Sequence, residues 1–345
     1  MALTTLVWLL LARRAELAHV LAALRGAHAG PLLVAAALQA VYWLGYARLY
    51  HAAFAAVGVP LRTMALLEAS LAALPLNLVA AGSGNALYLT AAARAGQSGS
   101  RAVAGAVLVR VADFASLAAL VAYALIYLAR HHHLAAYELL AGLGLLGLIA
   151  GWGALLGLGI WAPARLTRLL DWVRRQVDGL AARLRRPAPL GEAWAEHVAA
   201  DYTTAARTLT ARPAALWPVL GWAVVINVVE LACLAAVCWA FGLHLPLGLL
   251  VTAFAIGILF WIVAVTPQGV GIVEGSMALV LHGAGYEAAV ATGLALAYRG
   301  LSFWLPLLVG WALLPRFAQR RPERAPVSTA MESASRPAWA VRWSR

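Results

Sequence analysis

Lysine is absent from this 345-residue chain: all 26 of its Lys+Arg positions are arginine. That removes a Walker-type phosphate lysine, a Schiff-base lysine and a serine–lysine dyad from consideration. Charge of any kind is scarce, at 12% of residues against 63% hydrophobic, and mean hydropathy is +0.82. A soluble globule could not cover itself with so little polar surface, so the chain belongs in a bilayer. Cysteine is nearly absent too. Cys233 and Cys238 lie five apart inside an apolar run, where packing is the expected role rather than a disulfide or metal site. There is no nucleophile with base and orienter, no catalytic carboxylate pair and no zinc signature. His131, His132 and His133 are consecutive, cannot all reach one ion, and read as a solvated loop. No enzyme activity, cofactor or metal is expected, and no cleavable signal peptide.

What is present is apolar length. Uninterrupted runs at 31–57, 101–128, 134–161, 213–241 and 286–314 each suffice to cross ~30 Å of hydrocarbon. Two more, 61–93 and 246–282, are broken at their centres, by Pro75-Leu-Asn77 with Gly82-Ser-Gly84-Asn85 and by Thr266-Pro267-Gln-Gly269-Val-Gly271. The expected fold is an all-α polytopic membrane protein. It divides into a short N-terminal apolar or interfacial segment (1–30), a first membrane repeat (31–161, hairpin about 61–96), a connector (162–212), a second repeat (213–316, hairpin about 246–283) and a basic tail (317–345) that reads as disordered. The arginines explain themselves by orientation rather than by nucleic-acid binding: connector and tail concentrate them and should be cytoplasmic, in a cell (plasma or inner) membrane. In the connector Leu166, Leu169, Leu170, Val173, Val177, Leu180 and Leu184 recur at helical spacing opposite the arginines, as in an amphipathic helix lying on anionic lipid.

Counting crossings from those two cytoplasmic anchors makes the hairpins open to opposite sides. An ungapped self-match at an offset of 189 residues places Gly82 on Gly271, Asn85 on Glu274, Gly96 on Gly285, Arg110 on Arg299 and Phe114 on Phe303. Opposed orientation plus internal similarity predicts an inverted repeat, an architecture that holds its binding site near the midplane among broken helices.

Arg110 and Arg299 fall near the bilayer centre, where each needs an acid, a wet cavity or an anionic ligand. Asp113 is the expected neighbour of Arg110 and Glu274 that of Arg299, with Glu68 and Glu230 as further intramembrane acids. Two readings stand side by side. In one, the arginines grip a lipid phosphate while Gly82, Gly84, Asn85, Pro267, Gly269 and Gly271 form the broken-helix site around it. In the other, the same groups are a polar clamp between helices.

The run Thr266-Pro-Gln-Gly-Val-Gly-Ile-Val-Glu274-Gly, then Gly285, Arg299-Gly-Leu-Ser-Phe303-Trp and Pro306-Leu-Leu-Val-Gly310, resembles the C-terminal signature of the lysylphosphatidylglycerol synthase transmembrane, or flippase-like, family. Ala81-Gly-Ser-Gly-Asn85, Arg94, Gly96 and the turn from Arg110 to Asp113 are similar to its first conserved region. The resemblance spans about 31–316 and implies re-entrant hairpins and lipid flipping, without the separate synthase domain of two-domain members. Asn85 stands where many relatives carry glutamate, so one hairpin has lost a charge. The leading expectation is a lipid flippase or headgroup transporter whose partners are phospholipid or glycolipid headgroups, a second copy of the chain, or a separate lipid-modifying enzyme. The alternative is a non-catalytic scaffold for such an enzyme or for a glycosyltransferase.

Overall fold

The computed structural model describes residues 27–79, 82–131, 136–183, 194–264 and 266–319. The expectations for the N-terminal apolar segment before residue 27, for His132 and His133, for Leu184 and for the tail beyond residue 319 lie outside the described residues. Among those described, all regular structure is helical.

Helix α1 (Ala29–Ala56) is followed by a broken pair, α2 (Thr63–Val79) and α3 (Asn85–Arg94), and then by the long α4 (Gly99–His131). Helix α5 (Ala136–Trp161) leads into α6 (Pro163–Arg183) and α7 (Trp194–Ala211). The second half begins with a short 3-10 turn at Pro213–Ala215 and α8 (Leu216–Ala240). A second broken pair, α9 (Leu247–Val263) and α10 (Ile272–Gly283), precedes α11 (Ala288–Arg299), which passes through a π-type turn at Gly300–Trp304 into α12 (Leu305–Gln319). Among the described residues four helices are long and apolar enough to cross a membrane: Ala29–Ala56, Gly99–Arg130, Pro213–Ala240 and Ala288–Arg316. The run expected as a span at 134–161 is helical from Ala136 and bends by 119° where Leu146–Trp161 meets Pro163–Gly179. That bend separates an apolar helix from the arginine-rich, amphipathic α6, as expected where a chain leaves hydrocarbon for an interface. The chain is an all-α, multi-pass membrane protein. Leu33, Val34, Val41 and Leu44 of α1, and Val224, Val225 and Val228 of α8, are large, apolar and exposed. Such surface is stable against lipid chains rather than water.

Each half repeats one order of elements: long helix, 17-residue arm, break, short returning helix, long helix. The turns repeat as well. Gly58 and Gly242, Gly82 and Gly271, and Gly96 and Gly285 all have left-handed backbone. Gly96 and Gly285 close the returning helices in the same way. Gln97 N–H reaches back to the Ala92 carbonyl at 2.9 Å and Tyr286 N–H to that of Leu281 at 3.2 Å, the Schellman bond that a glycine after a helix end permits.

At the centre α1 packs along α8, and they run antiparallel. His28 N–H donates to the Ala240 carbonyl at 2.7 Å, the Cys233 thiol meets the Ala35 carbonyl at 3.5 Å, and Gln39 Nε2 donates to Glu230 at 3.2 Å. As α1 ascends from 28 to 39 its partner descends from 240 to 230. Small residues allow this approach: a Cβ on Gly45 would stand 3.0 Å from Ile226. Around this pair the halves exchange arms. Helix α2 of the first hairpin packs on α12, the last helix of the second half, and α9 of the second hairpin packs on α4.

Two details depart from expectation. Pro75, read as part of the first break, lies inside α2, which continues to Val79. The connector is more than a surface strip: α7 buries Ala195, Ala199, Tyr202, Ala205 and Ala206 and packs on α4, α5 and α6. It is pinned to the start of α4 by the Ser98 hydroxyl, which donates to Asp201 at 2.5 Å. Asp201→Ala is expected to cost about 1 kcal/mol, with faster amide exchange confined to α7 as the readout.

Candidate functional site

The two halves enclose a cavity of about 210 Å³, room for several waters or one compact polar headgroup rather than a whole lipid. Helices α1, α2, α3, α4, α8, α9 and α11 and the second break all contribute to its wall. Arg110 and Arg299 both face it, and each is the twelfth residue of its helix. At 1.5 Å per residue both sit ~17 Å from a helix start, near mid-bilayer. The 189-residue offset thus brings two related arginines into one chamber.

Their surroundings differ. Arg299 is 8% exposed and held on three sides. Its Nε donates to Glu274 Oε1 at 2.9 Å, its Nη2 donates to the Gln268 carbonyl at 3.1 Å, and the Phe303 ring lies 4.4 Å from its guanidinium carbon. Glu274 has its own second bond, accepting the Gly271 N–H on Oε2 at 2.7 Å, as an acid in the first turn of a helix does. Gln268 has φ 54°, a left-handed conformation that is uncommon outside glycine. Arg299 therefore fixes the backbone of the second break through an acid and a strained carbonyl. Phe303, four residues on, lies in the π-type turn that follows.

Arg110 is half-buried, and among the described residues its one hydrogen bond is a long one, Nη1 to the Tyr46 hydroxyl at 3.4 Å. Asp113, expected as its partner, lines the same cavity. Among the described residues, however, the ion pairs within 4 Å join Arg174 to Asp171 and Asp178, and Arg299 to Glu274. The same three-residue spacing that joins Arg174 to Asp171 leaves the charged ends of Arg110 and Asp113 apart, although both side chains face the cavity. Arg110 keeps its guanidinium directed at the chamber.

The remaining wall is aromatic and polar. Tyr42, Tyr46, Tyr50 and Phe54 follow one another at four-residue steps along α1, with ring centroids 5.9, 5.2 and 5.8 Å apart, the first pair stacked and the next two edge-on. Tyr88 lies flat on Tyr50 at 4.2 Å, and its hydroxyl donates to Ser70 at 3.0 Å. Glu230 accepts from Gln39 and, at 2.7 Å, from the Tyr298 hydroxyl; its other oxygen has no partner. Sequence reasoning noted Glu230 only as a further acid and missed the tyrosines. The signal for them was there, since aromatics at 42, 46, 50 and 54 lie on one helical face.

The other residues singled out from sequence build the breaks and stand outside the cavity lining. Gly82 and Gly271 supply left-handed turns, Gly269 another, Pro267 opens the 3-10 turn Pro267–Gly269, and Asn85 is exposed at the start of α3. Gly84 has a different reason. Its N–H donates to Asn77 Oδ1 at 2.8 Å, and a Cβ there would lie 2.6 Å from the Ala73 side chain and 2.7 Å from its carbonyl. Gly84→Ala is expected to separate α2 from α3 at a cost of about 1 to 3 kcal/mol, read as a lowered unfolding midpoint in detergent.

A family model described as the lysylphosphatidylglycerol synthase TM region matches residues 1–310. No curated protein matches the chain. With most of its length matched, and with the two broken hairpins and deep arginines that its sequence pattern led one to expect, the chain belongs to the lysylphosphatidylglycerol synthase transmembrane-region family.

Proposed function

We propose that the protein carries lipid headgroups across the membrane, acting as a flippase or headgroup transporter without catalysing a reaction. The observation that carries this reading is Arg110: a permanently charged side chain near mid-bilayer, facing a polar chamber, with no carboxylate of the described residues in an ion pair with it within 4 Å. Placing arginine at that depth costs on the order of 2.5 to 3.5 kcal/mol on insertion scales. An oxyanion entering the chamber offsets that cost through a charge-assisted, two-pronged hydrogen bond.

The antiparallel packing of α1 on α8 and the exchange of α2 and α9 between halves support reading the chain as an inverted repeat. In such an architecture the halves rock about a fixed central site. The arginines of α6 favour a cytoplasmic connector and a cell-membrane location, with lipids as the principal partners.

A second reading, a scaffold for a lipid-modifying enzyme, is favoured by one observation: the buried Arg299–Glu274 pair can serve as a helix clamp with no ligand at all. Reconstituted vesicles separate the two. With fluorescent phosphatidylglycerol in both leaflets, a flippase or scramblase lets an impermeant reductant bleach beyond the outer leaflet. Protection of the inner leaflet across several headgroup types leaves the scaffold.

A further inference from the structure

We propose that the two matched arginines divide the work of this site: Arg110 is the oxyanion-binding residue and Arg299 is a positioning residue that holds the second break in shape. This rests on the reading of the cavity as a headgroup site and names which half of the repeat recognises the phosphate.

The two residues occupy equivalent places, twelve residues into α4 and α11, so depth does not distinguish them. Their partners do. Arg299 spends its Nε on a carboxylate and an Nη on a carbonyl, and its face rests on Phe303. Its charge is neutralised locally, and the edge that could fork onto a phosphate is already committed to protein. Among the described residues Arg110 has a single hydrogen bond, 3.4 Å long, to a neutral phenol. Its guanidinium retains the donors that a tetrahedral oxyanion takes in pairs. The residues aligned with the two halves of the clamp account for the asymmetry. Where α10 carries Glu274, buried and bonded to both Arg299 and the Gly271 N–H, α3 carries Asn85, uncharged and exposed. The first half offers its arginine only Asp113, which lines the same cavity without an ion pair to it within 4 Å among the described residues, whereas the second has an acid built into its helix start. Trp43 adds an independent sign of a ligand at this end of the chamber: its indole N–H is buried without a partner, and the residue lines the same cavity one helical turn before Tyr46.

The ligand chemistry is a phosphate mono- or diester oxyanion, and both a lipid headgroup and free phosphate supply it. Thermal unfolding of the full chain in detergent, titrated in parallel with a short-chain phosphatidylglycerol, with inorganic phosphate and with a short-chain diacylglycerol, distinguishes these sources. Wild-type protein is expected to gain roughly 4 °C at a hundredfold excess over Kd with the phosphatidylglycerol and nothing with diacylglycerol. Stabilisation by inorganic phosphate as well assigns the site to the phosphate group alone. Arg110→Gln is expected to keep the ligand-free midpoint and to weaken binding by about tenfold or more. Arg299→Gln is expected to do the reverse, lowering the ligand-free midpoint by several degrees while the binding constant stays close to wild type. Arg299→Lys, which keeps a charge for Glu274, recovers much of the midpoint and serves if the glutamine variant does not fold.

Retention of the ligand-induced shift by Arg110→Gln overturns the assignment. So does loss of that shift by Arg299→Lys with an unchanged midpoint, or the lack of any phosphate-dependent shift in the wild type. Phosphate-dependent stabilisation that requires Arg110, in a protein that moves no lipid between leaflets, retains this division of labour and removes the transport reading. Lipid movement together with ligand binding indifferent to Arg110 does the opposite.

Discussion

Glu274→Ala is expected to lower the stability of the membrane domain by about 3 to 5 kcal/mol, the cost of stripping a buried ion of its counter-charge. Two contacts fail together and a third is left less restrained. Arg299, 8% exposed, loses the 2.9 Å bond to its carboxylate; the Gly271 N–H at the start of α10 loses its acceptor; and the Gln268 carbonyl, held in a left-handed turn, keeps an arginine no longer restrained from its other side. Because these interactions form one network, the double substitution Glu274→Gln with Arg299→Gln is expected to be less destabilising than the sum of the single changes. A cycle of unfolding midpoints in detergent measures that coupling. Additive losses would mean that the pair is a chance neighbour and not the fastening of the second break.

Gly310→Ala is the second large effect. Pro75 has no N–H, so the Leu71 carbonyl one turn earlier lacks its helical donor. Gly310 of α12 lies directly against that oxygen, and a Cβ there would overlap the Leu71 oxygen and meet Pro75 Cδ at 3.0 Å. The obstacle is backbone, which cannot rotate aside. Overpacking of this kind costs about 1 to 3 kcal/mol and forces the helices apart. Here it separates the first hairpin from the other half, so the variant should lose translocation as well as stability. A substituted Pro75→Ala chain, whose N–H would again engage the Leu71 carbonyl and move α2 away from its proline-shaped contact, is expected to relieve part of the Gly310→Ala defect. Unfolding midpoints of the two single variants and the double variant test this.

These residues also show what a sequence reveals of such a protein and what it hides. The long helices were legible because hydrocarbon thickness demands about twenty apolar residues in a row, and the glycines at 82, 96, 271 and 285 announced turns that only glycine adopts at low cost. Pro75 misled, since proline within a helix is read as a break unless a neighbouring helix is known to cover the freed carbonyl. That neighbour is Gly310, 235 positions away. Glu274 was named as the counter-charge of Arg299 because it comes just after the second break, and the structure pairs the two. Asp113 was named for Arg110 on spacing alone, and spacing does not fix where two flexible side chains end. The chamber itself was invisible, because Tyr42, Tyr46, Asn227 and Glu230 belong to helices that sequence analysis treats as uniform spans. Only the antiparallel seating of α1 on α8 brings them together.

The central claim is that a phosphate passes Arg110 on its way between leaflets. The measurement that meets it most directly is the bleaching rate of inner-leaflet fluorescent phosphatidylglycerol in vesicles carrying equal amounts of wild-type protein, Arg110→Gln or Arg110→Lys, with unfolding midpoints recorded alongside. Loss of one charge-assisted hydrogen bond is worth about 1.5 to 3 kcal/mol, or roughly ten- to a hundredfold in rate. The account therefore predicts that Arg110→Gln slows translocation by at least about tenfold at an unchanged midpoint, with Arg110→Lys in between, since lysine keeps the charge but not the fork. Wild-type translocation by a folded Arg110→Gln protein would contradict it.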